Sequence, residues 1–185
     1  MILHAKPLTK QAFKPFGDVI EVSDDAEKIS INYGLTERYH ALTNLDVIEE
    51  AGKGIISIFR SSPKACCEIN DKKGLLTIDC MERHPLSSQA FYPLSANAYL
   101  VVVAPKGEFD VAKLQVFLAK GNQGINYHKG TWHHYSLALG KTSDFLVVDR
   151  QGIGKNCDEV TLDNSITIHF NLDFNSDFNL DKRSD

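Results

Sequence analysis

The chain of 185 residues is 43% hydrophobic and 24% charged, with a net charge of −4. This length suits one domain, and this composition indicates a globular protein rather than a disordered chain. The longest apolar run, at 98–105, is much shorter than the ~20 residues that a membrane helix needs. The acidic charge balance, without a basic block, gives no electrostatic case for nucleic acid. We therefore expect neither a membrane nor a nucleic acid as partner.

The cysteines indicate the compartment. Cys66, Cys67, Cys80 and Cys157 are scattered, without the C-x-x-C pair that would suggest zinc or redox chemistry. The first residues also lack the continuous apolar segment of a signal peptide. These features predict a cytoplasmic protein whose thiols are free.

Taken in chain order, the predicted elements are short. Thr9 can cap a brief helix that Pro15 ends. The segments 23–28 and 61–74 are polar or turn-rich, and 31–40 is typical of a surface strand and loop. Runs of β-branched and aromatic residues between turn signals predict strands at 17–20, 55–60, 75–84, 89–93, 98–104, 114–118, 142–150 and 165–170.

This succession of short strands determines the expected fold. Strands do not alternate with helices, so a parallel sheet is not indicated. We predict an all-β protein, an antiparallel β-sandwich or jelly-roll barrel with a few short helices. The domain is expected to span 1–170, followed by a polar tail, rich in Asn and Asp, at 171–185.

The stretch 121–135, GNQGINYHKGTWHHY, concentrates three of the seven histidines and the single tryptophan. Its glycines predict tight turns between short strands. On an extended segment His133 and His134 point to opposite faces, so at most one of them enters a given cavity. A hairpin of buried histidines is one explanation. Three imidazoles beside a tryptophan favour the other, a pocket with convergent polar groups on an aromatic wall.

A second group of polar residues lies upstream. Glu82 and His84 share a face by strand parity, and a turn brings Gln89 back on the following strand. A carboxylate, an imidazole and an amide across a hairpin have the spacing of a metal site in a jelly roll, although a water-filled barrel mouth explains them equally well. We predict that His84, Gln89, His128 and His133 converge in one cavity open to solvent.

Two arginines are candidates for binding an anion. Arg60 shares strand parity with Ile56 and Ile58, so an inward face would carry its guanidinium to the barrel mouth, where the charge needs an anion. Arg150 closes a later predicted strand. A guanidinium binds a carboxylate bidentately, and we rank Arg60 ahead of Arg150 for this role.

Glu82-x-His84, Gln89 and Gly130-x-x-His133 resemble the cupin ligand pattern, with an amide in the acidic position. More specifically, the chain resembles the ureidoglycolate lyase family over most of its length. This chain departs from the family pattern only at its periphery, in the polar tail and in the stretch around residues 65–74. The stretches that carry the resemblance are NYGLTERYH (32–40), ERHPLSSQAFYP (82–93), GNQGINYHKGTWHH (121–134), DFLVVDR (144–150) and NCD (156–158).

The resemblance implies a cupin jelly roll, usually a homodimer, that splits ureidoglycolate into glyoxylate and urea in allantoin breakdown. Such a carbon–nitrogen lyase needs a base for the substrate hydroxyl and an acid for the departing nitrogen. The candidates for these catalytic roles are His128, His133, His84 and Glu82. The candidate substrate contacts are Arg60, Arg150, Gln89, Asn32, Tyr127, Trp132 and Phe91.

The need for a metal stays open on the sequence. Glu82, His84, Gln89 and His133 could hold nickel, zinc or manganese, which would act as a Lewis acid. Glutamine is a weak ligand, however, and the elimination does not require a metal. Two other functions remain: another metal-dependent cupin enzyme acting on a small hydroxy acid or sugar, and a non-catalytic cupin that binds a small molecule.

Overall fold

The computed structural model describes residues 1–173 and consists mainly of strands. The helices are short: α1 at Lys10–Phe13 and single 3₁₀ turns at Asn32–Gly34, Glu49–Ala51 and Val111–Lys113. The strands are β1 Ile2–His4, β2 Lys6–Pro7, β3 Gly17–Ile20, β4 Lys28–Ile31, β5 Thr36–Tyr39, β6 Lys53–Ser61, β7 Glu68–Asn70, β8 Lys73–Arg83, β9 Gln89–Pro93, β10 Tyr99–Ala104, β11 Gln115–Ala119, β12 Gly124–Tyr127, β13 Trp132–His133, β14 Leu137–Ala138, β15 Ser143–Gln151 and β16 Asp158–Asn171.

Two sheets form the body of the protein. The larger has the order β1-β16-β8-β13-β10-β11-β2, with β7 added to β8 and β14 to β10. The smaller has the order β3-β12-β9-β15-β6. Within the described residues the pairs β1–β16 and β2–β11 are parallel, and the remaining pairs are antiparallel. The prediction of an all-β sandwich with few short helices is confirmed.

Strand β10 is apolar throughout and buried on both faces, which is why it reads as a continuous YLVVVA run rather than an alternating one. One face, with Tyr99 and Val101, joins the core between the sheets together with Phe145. The other face, with Leu100 and Val102, joins a second core beneath β8 and β16. The strand thus connects the two hydrophobic cores of the molecule.

The local signals at the N-terminus are confirmed. Thr9 caps α1 by accepting a hydrogen bond from the Ala12 amide at 3.2 Å, and the helix ends before Pro15. Its last residue, Phe13, is fully buried and packs edge-on against Phe117. A helix of one turn is held here by that buried ring rather than by its intrinsic helix propensity.

A β-bulge interrupts the longest strand pair. Cys80 pairs with Thr161, whereas Ile78 pairs with Ile166, so that 162–165 bulge out opposite Asp79. Such an insertion bends the strand and redirects the side chains beside it.

The orientation of β6 differs from the sequence prediction. Ile56 and Ile58 are 72% and 56% exposed, and Arg60 lies on the same outer face. The residues between them point inward, and the Phe59 ring lies 5.7 Å from that of Phe91. The condition under which Arg60 would reach the barrel mouth, an inward face of Ile56 and Ile58, is therefore not met, because the aromatic residue of this edge strand is the one that packs on the body.

The hairpin β4–β5 stands apart from both sheets and pairs with no other strand of the described chain. Its tip has left-handed backbone at Asn32 and Tyr33, with φ of 53° and 60°. The Tyr33 and Leu35 side chains at this tip are exposed.

The predicted tail at 171–185 lies largely outside the described residues. Where the structure describes it, β16 continues to Asn171, and the Leu172 amide donates to the Lys72 carbonyl at 2.6 Å. No helix within residues 1–173 combines the length and apolarity required to cross a membrane.

Candidate active site

The polar residues of the candidate site meet at one end of the barrel. In β8, Glu82 lies opposite His133 of β13. In the smaller sheet, Gln89 of β9 lies opposite Tyr127 of β12. His84 directly follows β8 and lies between the two sheets, with its ring 5.1 Å from that of His133. Strand parity and the turn after β8 thus bring these side chains close to one another. Of the four residues predicted to share one cavity, His84 and Gln89 line the cavity described below, whereas His133 does not.

His133 is fully buried and rigidly held. Its ring stacks on Tyr127 at 4.1 Å with an interplanar angle of 13°. Nδ1 donates to the Thr131 carbonyl at 3.0 Å, which leaves Nε2 directed at the site. Nε2 lies 3.6 Å from Glu82 Oε1, close enough for an ion pair but too long for a hydrogen bond. The His133 imidazole lowers the pKa of Glu82, so this carboxylate stays ionised.

His84 is oriented in the same way. Nδ1 donates to the Asn156 carbonyl at 2.5 Å, and Nε2 lies 3.1 Å from the Gln89 side-chain amide. Burial lowers the pKa of His84, so its imidazole is neutral at neutral pH. Both histidines therefore direct Nε2 into the site, each fixed by a backbone carbonyl on Nδ1.

A cavity of about 350 Å³ opens at this point. It is lined by His84, Ser87, Gln89, Asp149, Arg150, Lys155, Asn156 and Cys157. A larger groove, of about 520 Å³, lies between Phe109 and the bulge of β16, but no imidazole lines it. The smaller cavity gathers titratable groups of several kinds beside the neighbouring imidazoles of His84 and His133, which makes it the candidate active site.

Asp149 is a half-buried acid that lines this cavity. Its Oδ1 is buried and has no hydrogen-bond partner in the described part of the chain. Burial raises the pKa of this carboxyl above its ordinary value. A carboxylate with an unpartnered, desolvated oxygen in a cavity is suited to accept a proton.

Arg150 lines the same cavity and is 8% exposed. Nε donates to the Glu49 carbonyl at 3.1 Å, and Nη2 donates to the carbonyls of Glu49 and Ile153, both at 2.8 Å. These bonds engage Nε and Nη2, whereas Nη1 takes part in none of them. The guanidinium is therefore fixed in place with one amino group available to an anion.

Other predicted site residues lie elsewhere. His128, one residue beyond β12, points away from Tyr127 and pairs with Asp18 at 3.0 Å, so the prediction that it shares the cavity is wrong. Trp132 faces the second core, where its Nε1 donates to the Gly107 carbonyl at 2.9 Å. Phe91 lies deeper, in the core between the sheets.

The two remaining candidates are on the surface. Asn32 is at the tip of the β4–β5 hairpin and donates to Thr36 Oγ1 at 3.2 Å. Arg60 binds Asp144 bidentately on the outer face of the smaller sheet, with nitrogen–oxygen distances of 2.8 and 2.9 Å. Neither side chain reaches the cavity of its own chain.

Sequence reasoning missed Asp149, Lys155 and Asn156. Strand parity contained the signal for Asp149, because it alternates inward with Phe145 and Val147 on β15. Asn156 lies in a loop and fastens the turn after β8, where it accepts from the Leu86 amide at 2.8 Å. A loop residue of this kind has no periodic signal.

The donor set at the barrel mouth fits a divalent cation. Ligand atoms of Glu82, His84 and His133 lie within 4.8 Å of one another. His133 Nε2 is buried and has no hydrogen-bond partner among residues 1–173. Two imidazole nitrogens and a carboxylate suit zinc, nickel or manganese.

A two-sheet antiparallel barrel with imidazoles and a carboxylate gathered at its mouth is a cupin-type protein. The chain matches the family model described as Ureidoglycolate lyase over residues 1–169. Ureidoglycolate lyase of Burkholderia mallei (strain NCTC 10229) is 46% identical over 164 residues, or 89% of this chain and 91% of that protein. Its counterpart in Pseudomonas entomophila (strain L48) is 50% identical over 158 residues, or 85% and 89%. The chain belongs to the ureidoglycolate lyase family.

Solved structures provide a more distant likeness. Oxalate decarboxylase of Bacillus subtilis matches with a TM-score of 0.33 and 14% identity, covering 68% of this chain and 32% of that one.

Proposed function

We propose that this protein is a ureidoglycolate lyase, which cleaves ureidoglycolate to glyoxylate and urea in allantoin degradation. Family membership over residues 1–169 is the observation that carries the proposal. The cavity supports it, because it combines a fixed guanidinium, an amide and a desolvated carboxyl around a space suited to a small hydroxy acid. The following roles are assigned to these groups.

Arg150 binds the substrate carboxylate through Nη1. Its other nitrogens are already held by backbone carbonyls, so little side-chain freedom is lost on binding. Lys155, which lines the same cavity, adds positive charge on its outer side. Gln89 presents an amide that can hydrogen-bond the planar urea group.

Asp149 moves the proton. Removal of the hydroxyl proton lets that oxygen form the carbonyl of glyoxylate while the carbon–nitrogen bond breaks. The departing nitrogen then takes up a proton to become urea. Since the net reaction moves one proton from oxygen to nitrogen, a single carboxyl group can accept it at Oδ1 and return it. The buried Oδ1 of Asp149, which has no hydrogen-bond partner within residues 1–173, supports this role.

Glu82, His84, Gln89 and His133 would hold a divalent cation, which supplies Lewis-acid polarisation of the substrate hydroxyl and carboxylate when bound. With or without a bound cation, the neutral His84 lines the cavity, and the His133 ring of the Glu82–His133 pair lies 5.1 Å from the His84 ring. We expect dialysis against chelator to lower activity and one added ion to restore it. Full activity of the metal-free protein would leave these residues as orienting groups alone.

The proposed activity is tested by measuring the products formed from ureidoglycolate. Purified protein is incubated with racemic ureidoglycolate, and glyoxylate and urea are measured separately. Equimolar glyoxylate and urea support the lyase. Glyoxylate with ammonia in place of urea would indicate hydrolysis of the ureido group instead. Lack of turnover with ureidoglycolate would favour another cupin enzyme of hydroxy acids, or a binding protein.

We further propose a cytoplasmic homodimer. None of the four cysteines, all within the described chain, forms a disulfide, which agrees with a reducing compartment. The exposed Ile56 and Ile58 of edge strand β6 provide an apolar surface that a second copy can cover.

A further inference from the structure

We propose that Asp79, Cys80 and His134 form a second metal site, distinct from the donors at the barrel mouth and suited to zinc. Their ligand atoms, a carboxylate oxygen, Sγ and an imidazole nitrogen, lie within 4.8 Å of one another. The proposal does not depend on the reaction that the protein catalyses.

His134 provides the independent observation. It is 2% exposed, and its Nδ1 donates to the Tyr135 carbonyl at 3.0 Å. That bond fixes the tautomer and leaves Nε2 as a lone-pair donor. Nε2 is buried without a hydrogen-bond partner among the residues that the structure describes. An orphaned buried nitrogen costs stability unless something binds it.

The bulge in β16 brings the other two ligands together. Consecutive residues of a regular strand point to opposite faces, so Asp79 and Cys80 could not ordinarily serve one ion. The register shift between Thr161 and Ile166 lies directly opposite Asp79 and Cys80. Strict alternation is not required there, so both side chains can approach one ion. Bulges of this kind often redirect side chains beside functional sites.

The donor chemistry selects the ion. One thiolate, one imidazole and one carboxylate suit zinc, and the exposed side of Asp79 leaves room for a water as fourth ligand. The Lys64 ammonium competes with a metal ion for the Asp79 carboxylate, because its Nζ lies 3.5 Å from Asp79 Oδ1. We therefore expect binding weaker than in a closed structural zinc site, and stronger when this ammonium is removed.

The test uses the full chain after chelator treatment, with Co²⁺ as the spectroscopic probe and Zn²⁺ as the competitor. We expect a saturable cobalt–thiolate absorption band that zinc abolishes. Cys80→Ser and, independently, His134→Gln should each remove the band and weaken zinc binding at least about tenfold. Lys64→Ala should tighten zinc binding.

Two matched variants separate this site from its neighbours. Cys157→Ser removes the thiol that lies 3.9 Å from Glu82, and His133→Gln removes a donor of the barrel mouth. Both should keep the band. A wild-type protein without the band, a band that survives Cys80→Ser, or one lost in Cys157→Ser would each overturn the proposal. Unchanged zinc affinity in Lys64→Ala would also count against it.

Discussion

Arg150 is held by the backbone around it, and this makes a conservative substitution informative. Arg150→Lys keeps the charge but loses the planar fork, so we expect a clear rise in KM with substrate. Arg150→Ala should cost about 2–5 kcal/mol in transition-state binding, as for a charge partner lost from a desolvated site. Steady-state kinetics measure both. Arg60→Lys, on the outer face, is the matched control and should leave KM unchanged.

Asp149 is tested by an isosteric change. Asp149→Asn keeps the shape of the side chain but removes the proton acceptor, so kcat should fall by ~100- to 10,000-fold with little change in the melting temperature. Asp144→Asn lies on the same strand but on the opposite face, and serves as control. A variant Asp149→Asn with wild-type kcat would assign proton transfer to another group.

At the level of single residues, the alternation of side chains along strands predicts the position of several site residues, whereas amino-acid composition predicts none. Glu82, His84, Gln89 and His133 were placed together by counting along strands and turns. The same parity and the resemblance of its stretch predict that His128 joins them, yet the end of β12 turns its ring to Asp18. The carbonyls of Glu49 and Ile153 that fix Arg150 lie in a 3₁₀ turn and a loop, whose paths the sequence does not encode periodically.

Among the elements, β6 has the clearest consequence for assembly. An edge strand with exposed isoleucines is a surface that natural proteins usually cover. We expect light scattering of the wild type to give twice the chain mass of 20.6 kDa. Ile58→Asp places a charge on this surface and should yield the monomer.

The control for that experiment is Ile153→Asp, which changes an even more exposed isoleucine in a loop. It should leave the mass unchanged. A dimer that persists in Ile58→Asp would exclude β6 as the contact.

Strand prediction succeeded for longer runs that turn residues bound, and failed for strands of two or three residues. Strand β9 was predicted at its observed bounds, 89–93, because turn residues flank it on both sides. The short strands β7, β13 and β14 were not predicted individually. Each has only two or three residues, and each exists because a longer neighbour offers its edge. Their propensity alone carries no such information.

For the whole molecule, the core between the sheets should dominate stability. Phe145 is fully buried, and its ring lies 5.1 Å from Tyr99 and 6.3 Å from Phe91. Phe145→Ala should lower the free energy of unfolding by about 3–5 kcal/mol. Urea denaturation followed by circular dichroism measures this.

Phe59→Ala offers the comparison, because that ring is partly exposed at the sheet edge. It should cost clearly less. Equal losses in the two variants would mean that the edge strand is as tightly packed as the centre.

The adjacent residues His133 and His134 serve different clusters, and this restricts how the turn before them can change in length during evolution. Gly130 fixes the turn, with φ of 79° and an amide that donates to the His84 carbonyl at 2.9 Å. Because side chains alternate along a strand, adding or deleting one residue after Gly130 would exchange the two rings between the clusters. A change of two residues would restore the original assignment. Relatives that keep both histidines in these roles should therefore differ here only by even numbers of residues.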